Sequence, residues 1–301
     1  MLFRSGRLFA DERQRQDFLA AHPPAAEVPA EPLITEPARK LIEEHGIGLD
    51  DLRAIGKKLI GTADVQRLVE RSERRVHRLS AGQLAVAEVV TTSHRTIPAA
   101  YGVVSVTVDD ALAALRAYAE REKTAVHLPE LLIRGLAGLV AEFPLFFAAF
   151  QEDGSAVLAG EARVGVTVDV GHGLVIPVLA GAQLSSPATI ARAMTAYRGK
   201  ALRQRFTGAE LAGATVAVSL PAGDVLLAQP IVPPGLSCMV ALGATHAVPD
   251  LDAAGGLVRR QVAYLGLSYD HRLINGRDAA LFLGALKSAV ESPGKLLGGL
   301  P

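Results

Sequence analysis

The stretch QVAYLGLSYDHRLINGRDAALFLGALKSAV, residues 261–290, constrains the fold more than any other. Its first ten residues read as a strand and GRDAALFLGALKSAV (276–290) reads as a helix, because apolar residues return at helical spacing after Gly276. The strand delivers Asp270-His271-Arg272 to a charged turn, and Asn275-Gly276 closes that turn before the helix. A histidine on the exposed edge of a rigid scaffold suits general-base work, since its unperturbed pKa lies near neutrality. Taken alone, the pattern favours a plainer role for His271, capping the turn or pairing with Asp270.

The same mixture of elements extends back to about residue 79. AAYGVVSVTV (99–108) is strand-like, DDALAALRAYAEREK is helical behind an acidic first turn, and a helix covers LPELLIRGLAGLVAEF (128–143). In ARVGVTVDVGHGLVIPVLAGA, Val164, Val166, Val168 and Val170 alternate and Gly171-His172-Gly173 marks a hairpin turn, with His172 as an ordinary turn residue. SSPATIARAMTAYRGKALRQRF is a capped helix, while ATVAVSL (214–220) and SCMVALGA (237–244) are buried strands. Strands and helices joined partly by hairpins predict an α+β sandwich. Upstream, residues 1–21 have room for one short helix, and HPPAAEVPAEP (22–32) is a Pro/Ala linker. Thr35, Pro37 and Gly46 frame a helix to about His45, and Thr62 caps another that carries Val65, Leu68 and Val69 on one face.

Charge and cysteine usage narrow the functional classes. Lys+Arg and Asp+Glu both number 31, so no global field draws the chain to nucleic acid or an acidic membrane, and the run Arg74–Arg78 is too short to change that. One cysteine, Cys238, excludes an internal disulfide framework and a Cys-rich metal site and suits a reducing compartment; we read it as a small core residue. MLFRSGRLFA turns charged too early for an export signal and no segment reaches membrane-spanning length, so the expectation is a soluble cytoplasmic protein.

LSYDHRLINGRDAALFLGALKSAVESP resembles the signature of the acyltransferase subunits of 2-oxoacid dehydrogenase complexes, D-H-R-x-x-D-G followed by a helix with F-L. HRLSAGQ and TIP within 77–98, GLVIPVLAGA at 173–182, FTGAELAGATVAVS at 206–219 and PIVPPG at 230–235 follow in the family's order. ITEPARKLIEEHGIGLDDL resembles the family's peripheral subunit-binding domain. The resemblance implies a chloramphenicol-acetyltransferase-like sandwich over 79–297, a helical subunit-binding-like module over 34–74, and a segment with linker over 1–33. It further implies homotrimers with active sites between subunits, His271 as general base, and Ser219, from the neighbouring subunit, as hydrogen-bond donor to the tetrahedral oxyanion.

Departures from the pattern point to a recruited enzyme. Asn275, the third residue we assign to the site, stands where the motif has aspartate, and Gln83, Leu84 and Glu88 stand in a helix that the family keeps basic. Loss of both opposite charges reads as replacement of an ion pair and a repacked active-site wall. The residues before Ile34 cannot hold a lipoyl domain with its modified lysine, and AIGKKLI (54–60) lacks the loop arginine that meets a dehydrogenase partner. Length and layout resemble the stand-alone O-acetyltransferases of tetronate pathways. The expectation is a transferase that uses acetyl-CoA as co-substrate and a small-molecule hydroxyl, the hydroxymethyl group of a tetronate, as acceptor. The alternatives are a core acyltransferase subunit whose lipoyl domain sits on another chain, and an inactive scaffold or binding protein.

Overall fold

The computed structural model describes residues 32–73, 77–171 and 173–298, preceded by two short strands, β1 (Leu2–Arg4) and β2 (Arg7–Phe9). These pair antiparallel, so residues 2–4 and 7–9 are not part of the helix expected near the N-terminus. The remainder of that segment, nearly all of the linker, Arg74–Val76 and His172 lie outside the described residues. The chain divides into two compact units at Arg78/Leu79. No described helix is long and apolar enough to cross a membrane.

In the first unit, strands β3 (Leu33–Ile34) and β4 (Leu59–Ile60) run parallel beside helices α1 (Glu36–His45), α2 (Leu49–Arg53) and α3 (Thr62–Glu73). Pro37 occupies the first turn of α1 and Gly46, at φ 62°, ends it as the sequence predicts, its N–H returning to Ile42 O. Thr62 is the first residue of α3, and Asp64 receives the Gly61 N–H at the helix start. Ala38, Leu52, Ile60 and Val65 form a small core of their own.

The second unit is built on a seven-stranded sheet. Its members are β5 (Ala99–Thr107), β8 (Arg163–Val166), β11 (Val178–Ala180), β12 (Val216–Ser219), β13 (Cys238–Leu242), β14 (His246–Leu251) and β15 (Leu257–Asp270), while β6 (Ala149–Phe150) pairs with β7 (Ala156–Val157) and β9 (Val168–Asp169) with β10 (Leu174–Val175) outside it. The order is β11-β8-β12-β13-β15, with β14 and β5 both paired to the long β15. Only the pairings of β12 are parallel, to β8 and to β13. Helices α4 (Ala81–Thr96), α5 (Asp109–Glu122), α6 (Leu128–Gly138), α7 (Pro187–Leu202) and α8 (Gly276–Glu291) complete the α+β layers. Expected and observed elements differ at α6, which ends at Gly138 rather than Phe143, and at β15, which begins four residues earlier than expected to pair with β14.

Alternation divides the sheet residues between two faces. Val164, Val216, Val218, Val240, Leu265 and Leu267 enter the main core, where Phe146 stacks on Phe282 of α8 with ring centroids 4.0 Å apart. The reverse face carries Ala217, Met239, Gly266, Ser268 and Asp270, and residues 221–236 lie across it as a strap. Tyr101 Oη donates to Ala228 O at 3.0 Å, Ser93 Oγ donates to Val232 O at 2.7 Å, and Val232 and Leu236 pack with Ile97, Ala217 and Met239. Such close approach needs glycine beneath the strap. A Cβ on Gly266 would stand 2.4 Å from Tyr101 Oη and 2.8 Å from Ala228 O, and one on Gly243 would stand 1.9 Å from Leu226 O. At the open edge of β5, Glu291 accepts the Thr107 N–H and Lys287 donates to Ser105 O, so α8 closes hydrogen bonds that a free edge would expose.

Candidate active site

His271 follows the last residue of β15 and begins the turn into α8. Its backbone N–H donates to Pro98 O at 3.1 Å and its exposed ring lies 5.6 Å from that of Tyr269. The turn is fixed from below by Asp270, which is 1% exposed. Asp270 does not pair with His271, as the plainer sequence reading had it. Its carboxylate instead accepts from the Arg272 backbone N–H at 3.0 Å and from Arg272 Nε and a terminal nitrogen at 2.9 and 2.6 Å. That hydrogen bonding pushes the guanidinium pKa above its usual value, and the guanidinium also lies 3.9 Å from the centre of the Phe150 ring. The Asp270 main chain serves the turn as well, receiving the Leu273 and Ile274 N–H groups while its own N–H donates to Ser237 O. His271 is thereby held between two anchored neighbours with its side chain exposed.

Asn275 is the N-cap of α8. Its Oδ1 accepts from the Asp278 N–H at 2.9 Å and its Nδ2 donates to the Asp278 carboxylate at 2.8 Å. Glu88, the helix residue expected to answer it, is exposed on α4. The observed partner of Asn275 is on its own helix.

Ser219 ends β12, half-buried on the reverse face with Ala217. Thr167 brackets it, its N–H donating to Val218 O at 3.0 Å and its Oγ1 accepting from the Leu220 N–H at 2.8 Å. Register fixes the separation of Ser219 from the histidine. Ser219 is level with Ala241, which is level with Gly266, five residues before His271. Five residues along and two strands across amount to roughly 20 Å. One chain therefore brings His271 and Asn275 to one turn and leaves Ser219 apart.

Residues 71–298 match the model of the 2-oxoacid dehydrogenases acyltransferase catalytic domain. The chain belongs to that family. It is 34% identical over 168 residues to the dihydrolipoyllysine-residue succinyltransferase component of the 2-oxoglutarate dehydrogenase complex of Cupriavidus necator, covering 55% of this chain and 39% of the relative. It is 32% identical over 181 residues to the acetyltransferase component of the pyruvate dehydrogenase complex of Mycobacterium bovis, covering 58% and 33%. The aligned region thus spans about a third to two fifths of these relatives' length. A probable dihydrolipoamide acetyltransferase of Listeria monocytogenes superposes with a TM-score of 0.67 at 22% identity, over 73% of this chain and 95% of that one. The dihydrolipoamide acetyltransferase of Azotobacter vinelandii, whose structure was determined to probe a serine, a histidine and an asparagine in its catalytic mechanism, gives 0.69 at 23%, over 75% and 94%. The fold is the chloramphenicol-acetyltransferase-like sandwich of these catalytic cores.

Proposed function

We propose that the chain is a CoA-dependent acyltransferase that moves an acetyl group to the hydroxyl of a small molecule, the hydroxymethyl group of a tetronate, at sites shared between copies of a homotrimer. The observation that carries the acyltransferase part of this reading is one of spacing, and the acceptor rests on the resemblance in length and layout alone. Ser219 stands 52 residues before His271 and Asn275 four after it, and the serine, histidine and asparagine probed in the Azotobacter relative have the same two intervals. Asparagine at this position is therefore no departure from that relative.

The chemistry follows from the side chains. His271 takes the proton of the attacking hydroxyl, whose oxygen adds to the thioester carbonyl of acetyl-CoA. Ser219 of the adjoining copy donates to the oxyanion, the C–S bond breaks, and the imidazolium returns its proton to the departing thiolate. Asn275 acts through position, fixing the start of α8 and so the turn that holds His271. Two observations favour assembly. The separation of Ser219 from His271 within one chain is what a site completed by a second copy would have, and α4 exposes Leu84, Val86 and Val89 while burying little beyond Ser93. A helix with so little packing of its own needs cover.

Mass spectrometry of the products from acetyl-CoA and a hydroxymethyl tetronate tests the reading, with His271→Ala as the control. The acetyl ester should form with wild-type protein alone. Acetylation of dihydrolipoamide instead would favour the second reading, a complex subunit, which the identities of the curated relatives support. Equal inertness of wild type and His271→Ala toward both acceptors would leave the scaffold.

A further inference from the structure

Thr167 faces Ser219 from the neighbouring strand. The parallel register pairs Val166 with Val218, and the Thr167 N–H donates to Val218 O at 3.0 Å, so Thr167 and Ser219 are the next residues to stand opposite one another. Regular continuation of the ladder would send the Leu220 N–H to the Thr167 backbone oxygen. It goes to Thr167 Oγ1 instead, at 2.8 Å. Side chains alternate along each strand, so both hydroxyls belong to the face that carries Gly165 and Ala217 two residues earlier. In accepting from Leu220, Thr167 Oγ1 uses a lone pair and keeps its hydrogen, for which no described residue supplies an acceptor. Thr167 is 9% exposed and Ser219 is half-buried, which sets the pair where the sheet meets solvent.

Distance and charge select what that hydrogen can serve. Neighbouring strands run about 4.8 Å apart. Two hydroxyls that each donate to one oxygen at about 2.7 Å can stand up to about 5.4 Å apart, so a single oxygen set between the two strands meets both. An oxygen that gains negative charge rewards two donors at once, and a hydroxyl already polarised by an N–H donor forms the stronger bond. A cap for the Leu220 N–H alone would need no more than the backbone carbonyl that every residue carries. We propose that Thr167 is a second hydrogen-bond donor to the tetrahedral oxyanion, a catalytic residue acting beside Ser219 of the same copy. The assignment rests on the acyltransferase reading above and on the part Ser219 plays in it.

The test compares Thr167→Val, which loses the hydroxyl at similar volume, with Thr167→Ser, which keeps it. The full chain is supplied with acetyl-CoA and, in turn, a hydroxymethyl tetronate and dihydrolipoamide. Thr167→Val should lower kcat roughly ten- to a hundredfold with KM for acetyl-CoA nearly unchanged, and Thr167→Ser should retain most of the rate. In the Ser219→Ala background Thr167→Val should lower kcat again, by at least about fivefold, because each hydroxyl reaches the oxygen by itself. An effect that vanishes in that background makes Thr167 a support for Ser219 and overturns the proposal. So does a normal kcat in Thr167→Val, and either result leaves the acyltransferase reading intact. A second readout needs no turnover. Infrared difference spectra of His271→Ala protein with acetyl-CoA carrying carbon-13 at its carbonyl should show that band below its frequency in free acetyl-CoA, and adding Thr167→Val should return part of the shift. A shifted band that is identical with and without the Thr167 hydroxyl overturns the proposal even where no acceptor is acetylated. An unshifted band in every variant, with no transfer by wild type, removes the acyltransferase reading and the second donor with it.

Discussion

Replacing Arg272 with methionine isolates the interaction that anchors the histidine turn. The substitution keeps much of the side-chain volume and removes the fork that grips Asp270 through Nε and a terminal nitrogen. Breaking one half of a buried ion pair costs about 3–5 kcal/mol, because the remaining charge is left without its partner. Asp270 is 1% exposed but the Arg272 side chain is 33% exposed, and the Arg272 backbone N–H still serves the carboxylate. Solvent screening and that surviving bond reduce the expected loss to about 2–3 kcal/mol, inclusive of the Phe150 stacking. For a unit of this size the loss corresponds to a fall in Tm of roughly 5–10 °C. Chemical denaturation should show a lower midpoint at unchanged slope, and the double variant Asp270→Asn/Arg272→Met should recover at least about 1 kcal/mol relative to additivity. Arg272→Lys should fall between, since an ammonium cannot reproduce the two-pronged contact. A loss below about 0.5 kcal/mol, or strict additivity in the double variant, would refute the view that this pair holds the turn.

His271→Ala should abolish transfer with Tm unchanged, and Ser219→Ala should lower kcat by about a hundredfold or more with a smaller change in KM, as steady-state kinetics and thermal melts would show. Asn275→Asp retains a capping oxygen but sets a carboxylate against Asp278, so it should cost about 1 kcal/mol and be rescued by Asp278→Asn rather than by a cation on α4, as double-mutant denaturation would show. Gly266→Ala should destabilise by about 1–3 kcal/mol in denaturant melts, and less when Tyr101→Phe removes the nearer of the two clashing oxygens. Hydrogen bonds from Lys200 and from the Thr207 backbone hold the Glu210 pKa down at about 2. A depressed carboxylate contributes stability above its unfolded pKa of 4.5 that is lost as pH falls toward 2, so Lys200→Met should flatten that acid limb in pH-dependent melts.

Local signals were legible wherever one residue acts on its own backbone. Pro37 and Gly46 mark the two ends of α1, Ser186 caps α7, and the strand, turn and helix around His271 fall close to where periodicity puts them. Interactions between distant residues were not legible. β14 was missed because Pro249 and Asp250 argue against a strand, yet an edge strand tolerates a proline. The strap over 221–236 depends on the missing Cβ atoms of Gly243 and Gly266, which no pattern within the strap announces. Nor does spacing along the chain reveal that the Asn275 amide closes on Asp278.

The active site shows the same division on a larger scale. Motif spacing marks Ser219 and His271 as partners, while the parallel pairing of β12 to β13 and the antiparallel pairing of β13 to β15 hold them roughly 20 Å apart in one chain. No side-chain rotation closes that gap, and a hinge within the sheet would break the ladder from β12 through β15 that carries both residues. In the trimer we propose, the ladder need not move. A second copy brings its own His271 turn to Ser219, the exposed apolar residues of α4 acquire cover, and the rigidity that separates the two groups in one protomer holds each in place for the next. A monomeric variant should therefore retain its fold and lose transfer, and mixing His271→Ala with Ser219→Ala protein under exchange of subunits should restore part of it, because some mixed interfaces would carry both groups. Absence of any restoration in exchanged mixtures would place Ser219 outside the reaction.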